Sequence, residues 1–202
     1  TLHLMKLFFL SLTIIGISFF SSCSHSHTYD KYIKELDSLK VVVEQSVANF
    51  KTIDSTACYN AYSKQFTYAS YINVNLKDTV SRSIANDLQT FYMLGRSMVN
   101  YLAMRPVWLG EAQKSIMQLT NLSHDLKNGS VEDEEAIEFI GKEKQEAEKI
   151  IGELKENTEA IREQMEQFNK TLPTAELTVK MLNKDALPEL VKPEIKAQKE
   201  MD

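Results

Sequence analysis

Residues 131–172 read VEDEEAIEFIGKEKQEAEKIIGELKENTEAIREQMEQFNKTL, the longest regular pattern in the chain. Apolar side chains recur in steps of three and four and together make a seven-residue repeat. These side chains are Ile137, Ile140, Ala147, Ile151, Leu154, Ile161, Met165, Phe168 and Leu172. Lys144 and Thr158 interrupt this apolar seam. The spacing predicts one amphipathic helix, about 63 Å long if it is straight, and Pro173 is expected to end it.

The same stretch is acidic, with 13 acidic and 6 basic residues. Ser130 and Asp133 resemble a capping box at its start, and the acidic residues 132–135 suit the positive end of a helix dipole. A solvated helix face with local ion pairs is the ordinary interpretation of such a run. A docking face for a basic partner is the alternative.

Two shorter helices are predicted at the start of the folded region. The first covers about 30–52, and the second follows an N-cap at Asp54 or Ser55, where a short side chain can accept from free backbone N–H groups. Residues 66–76 also alternate like a strand. Because no second strand is available to pair with them, we predict helix to about Ile72 and a turn after it.

Two further helices are predicted before the acidic stretch. Ile84, Leu88, Phe91, Gly95, Met98 and Leu102 make the seam of the third helix. Pro106 is expected to end that helix, because the residue before a proline is disfavoured in helical geometry. The fourth begins near Trp108 and ends at Asn128-Gly129, where both residues tolerate a left-handed backbone. The sequence therefore predicts an all-α fold, an up-and-down helical bundle of about five helices with one long C-terminal helix.

An apolar segment precedes these helices. Met5 and Lys6 are followed by the apolar residues 7–20, which are fewer than the roughly 20 that a transmembrane helix needs. A positive start, a short apolar core and a small-residue exit at residues 21–23 are typical of a secretory signal.

Residues 5–23 resemble the signal peptides of bacterial lipoproteins, because two small residues precede Cys23. Phe20 stands where that family usually has leucine. The resemblance implies that residues 1–22 are removed and that a lipid on Cys23 anchors the chain to the membrane of the bacterial cell envelope. Ser24 is not acidic and so resembles the residue that directs such proteins to the outer membrane. Residues 24–29 lack the dense acidic tag that some surface-exposed lipoproteins carry after the cysteine, which favours a position facing the periplasm. An ordinary secretory signal with a chance cysteine is the alternative.

We therefore expect four segments in the chain of 202 residues. Residues 1–22 are the signal peptide, 23–29 the acylated cysteine and tether, 30–172 the helical bundle domain, and 173–202 a short helix or a mobile tail. The formal net charge of −5 argues against nucleic acid as a partner, since nucleic acid requires a basic face.

Signatures of catalysis and metal binding are missing from the sequence. No H-E-x-x-H, paired C-x-x-C, G-x-S-x-G or phosphate-binding glycine loop occurs. Cys58 with His124 is the best nucleophile candidate, but a small buried hydrophobe is the ordinary interpretation of such a cysteine. His25 and His27 lie in a tether that is too flexible to preform a metal site. We predict no enzymatic activity, no cofactor and no metal site.

Four residues are candidate contacts for a partner or ligand. Arg105 and Trp108 lie at a predicted turn, and both residue types are frequent at binding hot spots; Trp108 could instead fold back onto the bundle. Tyr62 and Tyr92 could line a groove with Trp108, although tyrosines at helical spacing usually pack half-buried.

The function expected from the sequence is that of a lipid-anchored cell-envelope protein acting as a non-catalytic helical interaction or scaffold module. An envelope protein is the expected partner. The alternative is a small-ligand-binding envelope lipoprotein with an aromatic groove between helices. The sequence leaves the oligomeric state open.

Overall fold

The computed structural model describes residues 29–195, which contain four α-helices and no strand. The helices are α1 (Asp30–Lys51), α2 (Ser55–Asn75), α3 (Arg82–Asn128) and α4 (Asp133–Leu182). The all-α prediction is confirmed, but the predicted number of about five helices is wrong. The signal peptide, Cys23 and the tether up to residue 28 lie outside the described residues.

The number is wrong because Pro106 lies inside α3 and does not end it. A proline inside a helix removes one backbone hydrogen bond and costs about 3 kcal/mol. Tyr101, Ala103 and Trp108 are all buried around this position, and fully burying one large apolar side chain contributes about 1.5–3 kcal/mol. Packing on both sides of the proline therefore outweighs the local preference for a helix end.

Pro173 likewise lies inside α4, so the boundary predicted at residue 172 falls within a helix. Val179, further along α4, is fully buried. The Thr174 hydroxyl donates to Asp87 Oδ2 on α3 at 2.7 Å and ties this turn to its neighbour. The short helix predicted around Leu177 is therefore the last part of α4.

The start of α2 agrees with the sequence. Asp54 Oδ1 accepts from the backbone N–H groups of Thr56 at 2.8 Å and Ala57 at 3.0 Å, as the predicted N-cap requires. Residues 66–75 are helical, so the helix predicted to Ile72 is confirmed, but it continues to Asn75, where a turn was predicted.

The end of α3 also agrees. Gly129 has a φ of +64°, and the Ser130 N–H donates to the Asp125 carbonyl at 2.9 Å. This is the left-handed stop that glycine permits. The predicted capping box, however, is not the start of α4, because that helix begins at Asp133.

The described residues divide into two compact units. Unit 1 comprises residues 29–41 and Ser115–Ala147, and unit 2 comprises Val42–Lys114 and residues 148–195. No helix within residues 29–195 combines the length and the apolar character that a membrane crossing requires.

In unit 1, polar contacts join α1 to α4. The Tyr29 hydroxyl donates to Asp133 Oδ1 at 2.7 Å, and Lys144 Nζ donates to Glu35 Oε2 at 2.9 Å. Residue numbers rise together in these two pairs, so the two segments run in the same direction. Beneath the contacts lies an apolar core. It contains Ile33, Leu36, Leu119, Leu122, Leu126, Ala136 and Ile140.

In unit 2, the end of α1 and all of α2 follow α3 in the opposite direction. Phe50 packs on Trp108, whereas Gln65 Nε2 donates to the carbonyls of Phe91 and Tyr92. As the number rises along α1 and α2, it falls along α3.

In the contacts that α4 of unit 2 makes with α1 and α2, the residue numbers of both partners rise together. Arg162 reaches Asn49 at the end of α1, and Glu176 lies 3.9 Å from Lys64 on α2. Within this unit, α4 therefore runs in the same direction as α1 and α2.

Candidate functional site

Trp108, one of the predicted contact residues, belongs to the core of unit 2. It is only 8% exposed, and its indole meets the Phe50 ring nearly edge-on, with centroids 5.9 Å apart. The predicted turn at this position is wrong, because α3 continues through it. The indole therefore offers little surface to a partner.

Arg105 lies one turn from Tyr101 on α3, and the two groups influence each other. Burial raises the pKa of the Tyr101 hydroxyl, and the nearby Arg105 guanidinium partly offsets that effect. Tyr101 Oη and Arg105 Nε are both buried, and neither atom has a hydrogen-bond partner among the described residues. Tyr101 is buried and Arg105 is half-buried, so the pair lies at the edge of the core of unit 2.

The two tyrosines predicted to line a groove with Trp108 lie elsewhere. Tyr62 packs against Phe66, with ring centroids 6.2 Å apart, and Tyr92 is 37% exposed on α3. Tyr92 and Trp108 are separated by about 24 Å along that helix, at 1.5 Å per residue. One aromatic groove cannot contain all three side chains. As individual contacts, Tyr62, Tyr92, Arg105 and Trp108 remain predictions.

Cys58 is a fully buried free thiol. Burial raises its pKa to about 12, so the thiol is protonated at neutral pH and is a poor nucleophile. His124 is exposed, and its Nε2 lies 3.0 Å from Asn128 Nδ2. Within residues 29–195, no group of three or more His, Cys, Asp or Glu side chains is arranged to hold a metal ion.

One side of α4 in unit 2 carries four exposed carboxylates, which we call the acidic face. They are Glu156, Glu159, Glu163 and Glu166. Steps of three and four residues place them on the same side of the helix, opposite the buried Leu154, Thr158 and Ile161. None of the four lies within ion-pair distance of a Lys, Arg or His side chain among the residues that the structure describes.

A groove of about 420 Å³ adjoins this face where α1 gives way to α2. Its volume falls within the range of small-molecule sites. The groove is lined by Thr52, Ile53, Asp54, Ala57, Ile161, Arg162, Met165, Glu166 and Asn169. Glu166 belongs to both the groove and the acidic face.

Arg162 forms one wall of the groove and is held in place by α1. Its Nη2 donates to Asn49 Oδ1 at 3.0 Å and to Thr52 Oγ1 at 2.9 Å. A cation beside the last turn of α1 also complements the negative end of that helix dipole. The arrangement gives an apolar floor with charged groups of both signs at its rim.

Sequence reasoning identified the acidity of α4 but missed the groove. The groove depends on the break between α1 and α2 and on α4 residues that are more than a hundred positions later. The N-cap at Asp54 predicted the break, but nothing in the sequence indicated which part of α4 lies beside it.

We compared the chain with protein-family models, curated proteins and solved structures, and none of the three comparisons found a match.

Proposed function

We propose that this chain is a lipid-anchored cell-envelope protein that acts as a non-catalytic helical interaction or scaffold module. In this proposal, the acidic face of α4 holds a basic protein partner. The observation that carries the proposal is the set of four exposed carboxylates without a counter-ion in the described residues.

The energetics of a helix support this assignment. Like charges three or four residues apart destabilise a helix by about 0.2–0.5 kcal/mol per pair. Glu156, Glu159, Glu163 and Glu166 make three such pairs and are exposed, so they contribute little to the apolar core. A partner with Lys or Arg side chains at matching spacing would replace this repulsion with attraction and would be steered to the face by charge.

The anchor is the second part of the proposal, and it rests on the resemblance of residues 5–23 to a lipoprotein signal. Tyr29, six positions after Cys23, is 5% exposed, and its hydroxyl donates a hydrogen bond to Asp133. Residues 24–28 span at most about 18 Å when fully extended. A lipid on Cys23 would therefore keep the first turns of α1 and α4 close to the membrane surface, in our proposal the periplasmic side of the outer membrane.

We further propose that the helices form an up-and-down bundle. The opposite direction of α3 relative to α1 and α2 in unit 2 supports this, as does the short turn between α3 and α4 in unit 1.

The test is crosslinking in intact cells, followed by purification of the lipidated protein and mass spectrometry of the crosslinked partner and of the N-terminal peptide. In a Glu159→Gln/Glu163→Gln double variant, we expect at least a fivefold loss of the crosslinked partner. The matched control is Glu135→Gln/Glu146→Gln, which removes the same charge from exposed positions of α4 outside the acidic face and should retain the partner. An equal loss in both variants would contradict a specific face.

A second candidate function is small-ligand binding, and the groove beside Arg162 favours it. The floor is apolar, so the ligand would carry an apolar body and a polar or charged end. A thermal-shift screen of envelope small molecules would test it, because a ligand that binds only the folded state raises its stability. A Met165→Glu variant, at a half-buried position that lines the groove, should lose any such shift.

A further inference from the structure

The outer face of α2 carries three hydroxyl groups spaced four residues apart, and we call it the hydroxyl face. Tyr59, Ser63 and Thr67 form it. Ser63 and Thr67 are each only 5% exposed, although this side of α2 points away from the residues that contact α3 and α4. Something other than those two helices therefore covers it.

The cover is an extended segment that follows α4, residues 187–195, which we call the C-terminal strap. The Val191 N–H donates to Thr67 Oγ1 at 3.0 Å, and the Tyr59 hydroxyl donates to the Pro193 carbonyl at 3.2 Å. Both bonds go to the backbone of the strap. The hydroxyl face therefore recognises the main chain of an extended peptide, which many sequences can present.

The apolar side chains of the strap are only partly covered. Leu187, Leu190 and Val191 are 41%, 42% and 48% exposed, whereas Pro188 and Pro193 are half-buried. Proline favours the extended backbone that the face requires and loses little freedom on docking. The bonds from Val191 and Tyr59 are neutral, and a bond of this kind makes only a small net contribution to stability, so a competing peptide can replace them.

Ser63 is the part of the hydroxyl face that the strap does not use. Its Oγ is buried and has no hydrogen-bond partner among the described residues. Thr67 Oγ1, one turn further, is bonded both to the Ser63 carbonyl at 2.8 Å and to the strap. A buried hydroxyl without a partner is unfavourable. A peptide that placed a backbone group opposite Ser63 would bind better than the strap does.

We propose that the hydroxyl face of α2 is a binding site for an extended, proline-bearing peptide segment of a partner protein, and that the C-terminal strap occupies it in cis. A short linker gives such a strap a millimolar effective concentration, so the partner must displace it. This inference deepens the proposed interaction role and rests on it. Its test involves neither Cys23 nor a membrane nor the acidic face, so that either proposal can fail alone.

The experiment uses a full-length chain in which residues 187–195 are replaced by Gly and Ser, here the open variant. The probe is a fluorescein-labelled peptide with the sequence of residues 186–195, ALPELVKPEI, followed by fluorescence anisotropy. We expect the probe to bind the open variant at least tenfold more tightly than the unaltered chain. No binding to the open variant, or equal binding to both chains, would overturn the proposal.

Matched substitutions in the open variant identify the face. Tyr59→Phe with Thr67→Val should weaken probe binding at least tenfold, because both backbone contacts are lost. Tyr71→Phe removes a hydroxyl of α2 that lies outside the hydroxyl face, and it should leave probe binding within twofold. The reverse pattern would show that the probe binds elsewhere and would overturn the assignment.

A second measurement does not depend on the open variant being folded. In a full-length chain that keeps its own strap, Thr67→Val removes the acceptor of the Val191 N–H. We expect the Val191 amide to exchange with solvent at least fivefold faster by NMR, and an unchanged rate would contradict the docked strap. Dimers formed by the unaltered chain through this face would assign it to a second copy and would likewise overturn the proposal.

Discussion

Unit 1 and unit 2 each combine an apolar core with polar contacts between helices, but they differ in their strongest contacts. In unit 1, Asp37 accepts from the Ser123 hydroxyl at 2.8 Å and from Lys127 at 3.2 Å, and comparable polar contacts link α1 to α4. In unit 2, Phe50 is fully buried and packs on the rings of Tyr101 and Trp108. Charged contacts depend on pH and salt, whereas apolar packing depends on shape and buried area.

The pKa of Asp37 shows the direction of this dependence. The Ser123 hydroxyl and the Lys127 ammonium lower the pKa of Asp37 below its ordinary value, against the opposing effect of burial. A carboxyl whose pKa is lower in the folded state stabilises the fold above its unfolded pKa. That contribution is lost as the pH falls through the folded pKa. Unit 1 is therefore expected to lose stability in acid before unit 2 does.

The largest expected effect is on the aromatic packing of unit 2. Phe50→Ala should lower the free energy of unfolding by about 3–5 kcal/mol, because a fully buried ring leaves a cavity. Trp108 is the only tryptophan of the chain, so its fluorescence during urea unfolding reports on this packing. Phe66→Ala is the control, since Phe66 is 39% exposed and should cost less than about 1 kcal/mol. Similar losses in both would mean that the packing around Phe50 is not special.

The next effect concerns a close approach inside unit 2. A Cβ on Gly95 would collide with the Gln65 amide, which donates to the Phe91 and Tyr92 carbonyls at 3.1 and 3.2 Å. Gly95→Ala should therefore destabilise the chain by about 1–3 kcal/mol. Gly110, in the same helix, has open space around it, and Gly110→Ala should stabilise by up to about 1 kcal/mol. Urea unfolding of both variants measures the contrast, and the same sign in both would contradict it.

A smaller effect is expected at the polar contacts of unit 1. Asp37→Ala should cost about 1 kcal/mol at pH 7, because the buried Ser123 hydroxyl loses its acceptor while the exposed ion pair to Lys127 contributes little. The difference from the unaltered chain should shrink as the pH falls below the ordinary carboxyl pKa of about 4 and through the lowered pKa of Asp37. Hydrogen exchange of residues 115–128 would measure it locally. The Phe50→Ala effect should stay constant over that range, and a parallel pH dependence would remove the distinction between the units.

The smallest effect is expected on the acidic face. Glu159→Gln should raise the stability of unit 2 by about 0.4–1 kcal/mol in low salt, because it removes two repulsive pairs, one with Glu156 and one with Glu163. The gain should vanish in about 1 M salt, where charges are screened within roughly 3 Å. Calorimetric melting temperatures at the two salt concentrations would show it. A loss of stability in low salt would indicate that Glu159 has a structural contact.

The candidate sites were predictable only where the pattern is local. The spacing of Glu156, Glu159, Glu163 and Glu166 alone places them on one face, and the sequence identified the acidity of that helix. The groove and the hydroxyl face were not predictable, because each joins residues that are distant in sequence, such as Thr67 and Val191. Tyr62, Tyr92 and Trp108 were predicted to line one groove and lie apart for the same reason, because residue type does not tell which side chains are close in space.

The sequence by itself determined the helical class, the N-cap at Asp54 and the left-handed stop at Gly129, because periodicity and capping act within a few residues. Only the tertiary structure decided that α3 continues through Pro106 and that α4 continues through Pro173. A proline imposes a local cost of a few kcal/mol, and the burial of side chains on both sides decides whether the helix ends. That burial depends on neighbouring helices, and the local sequence does not contain them.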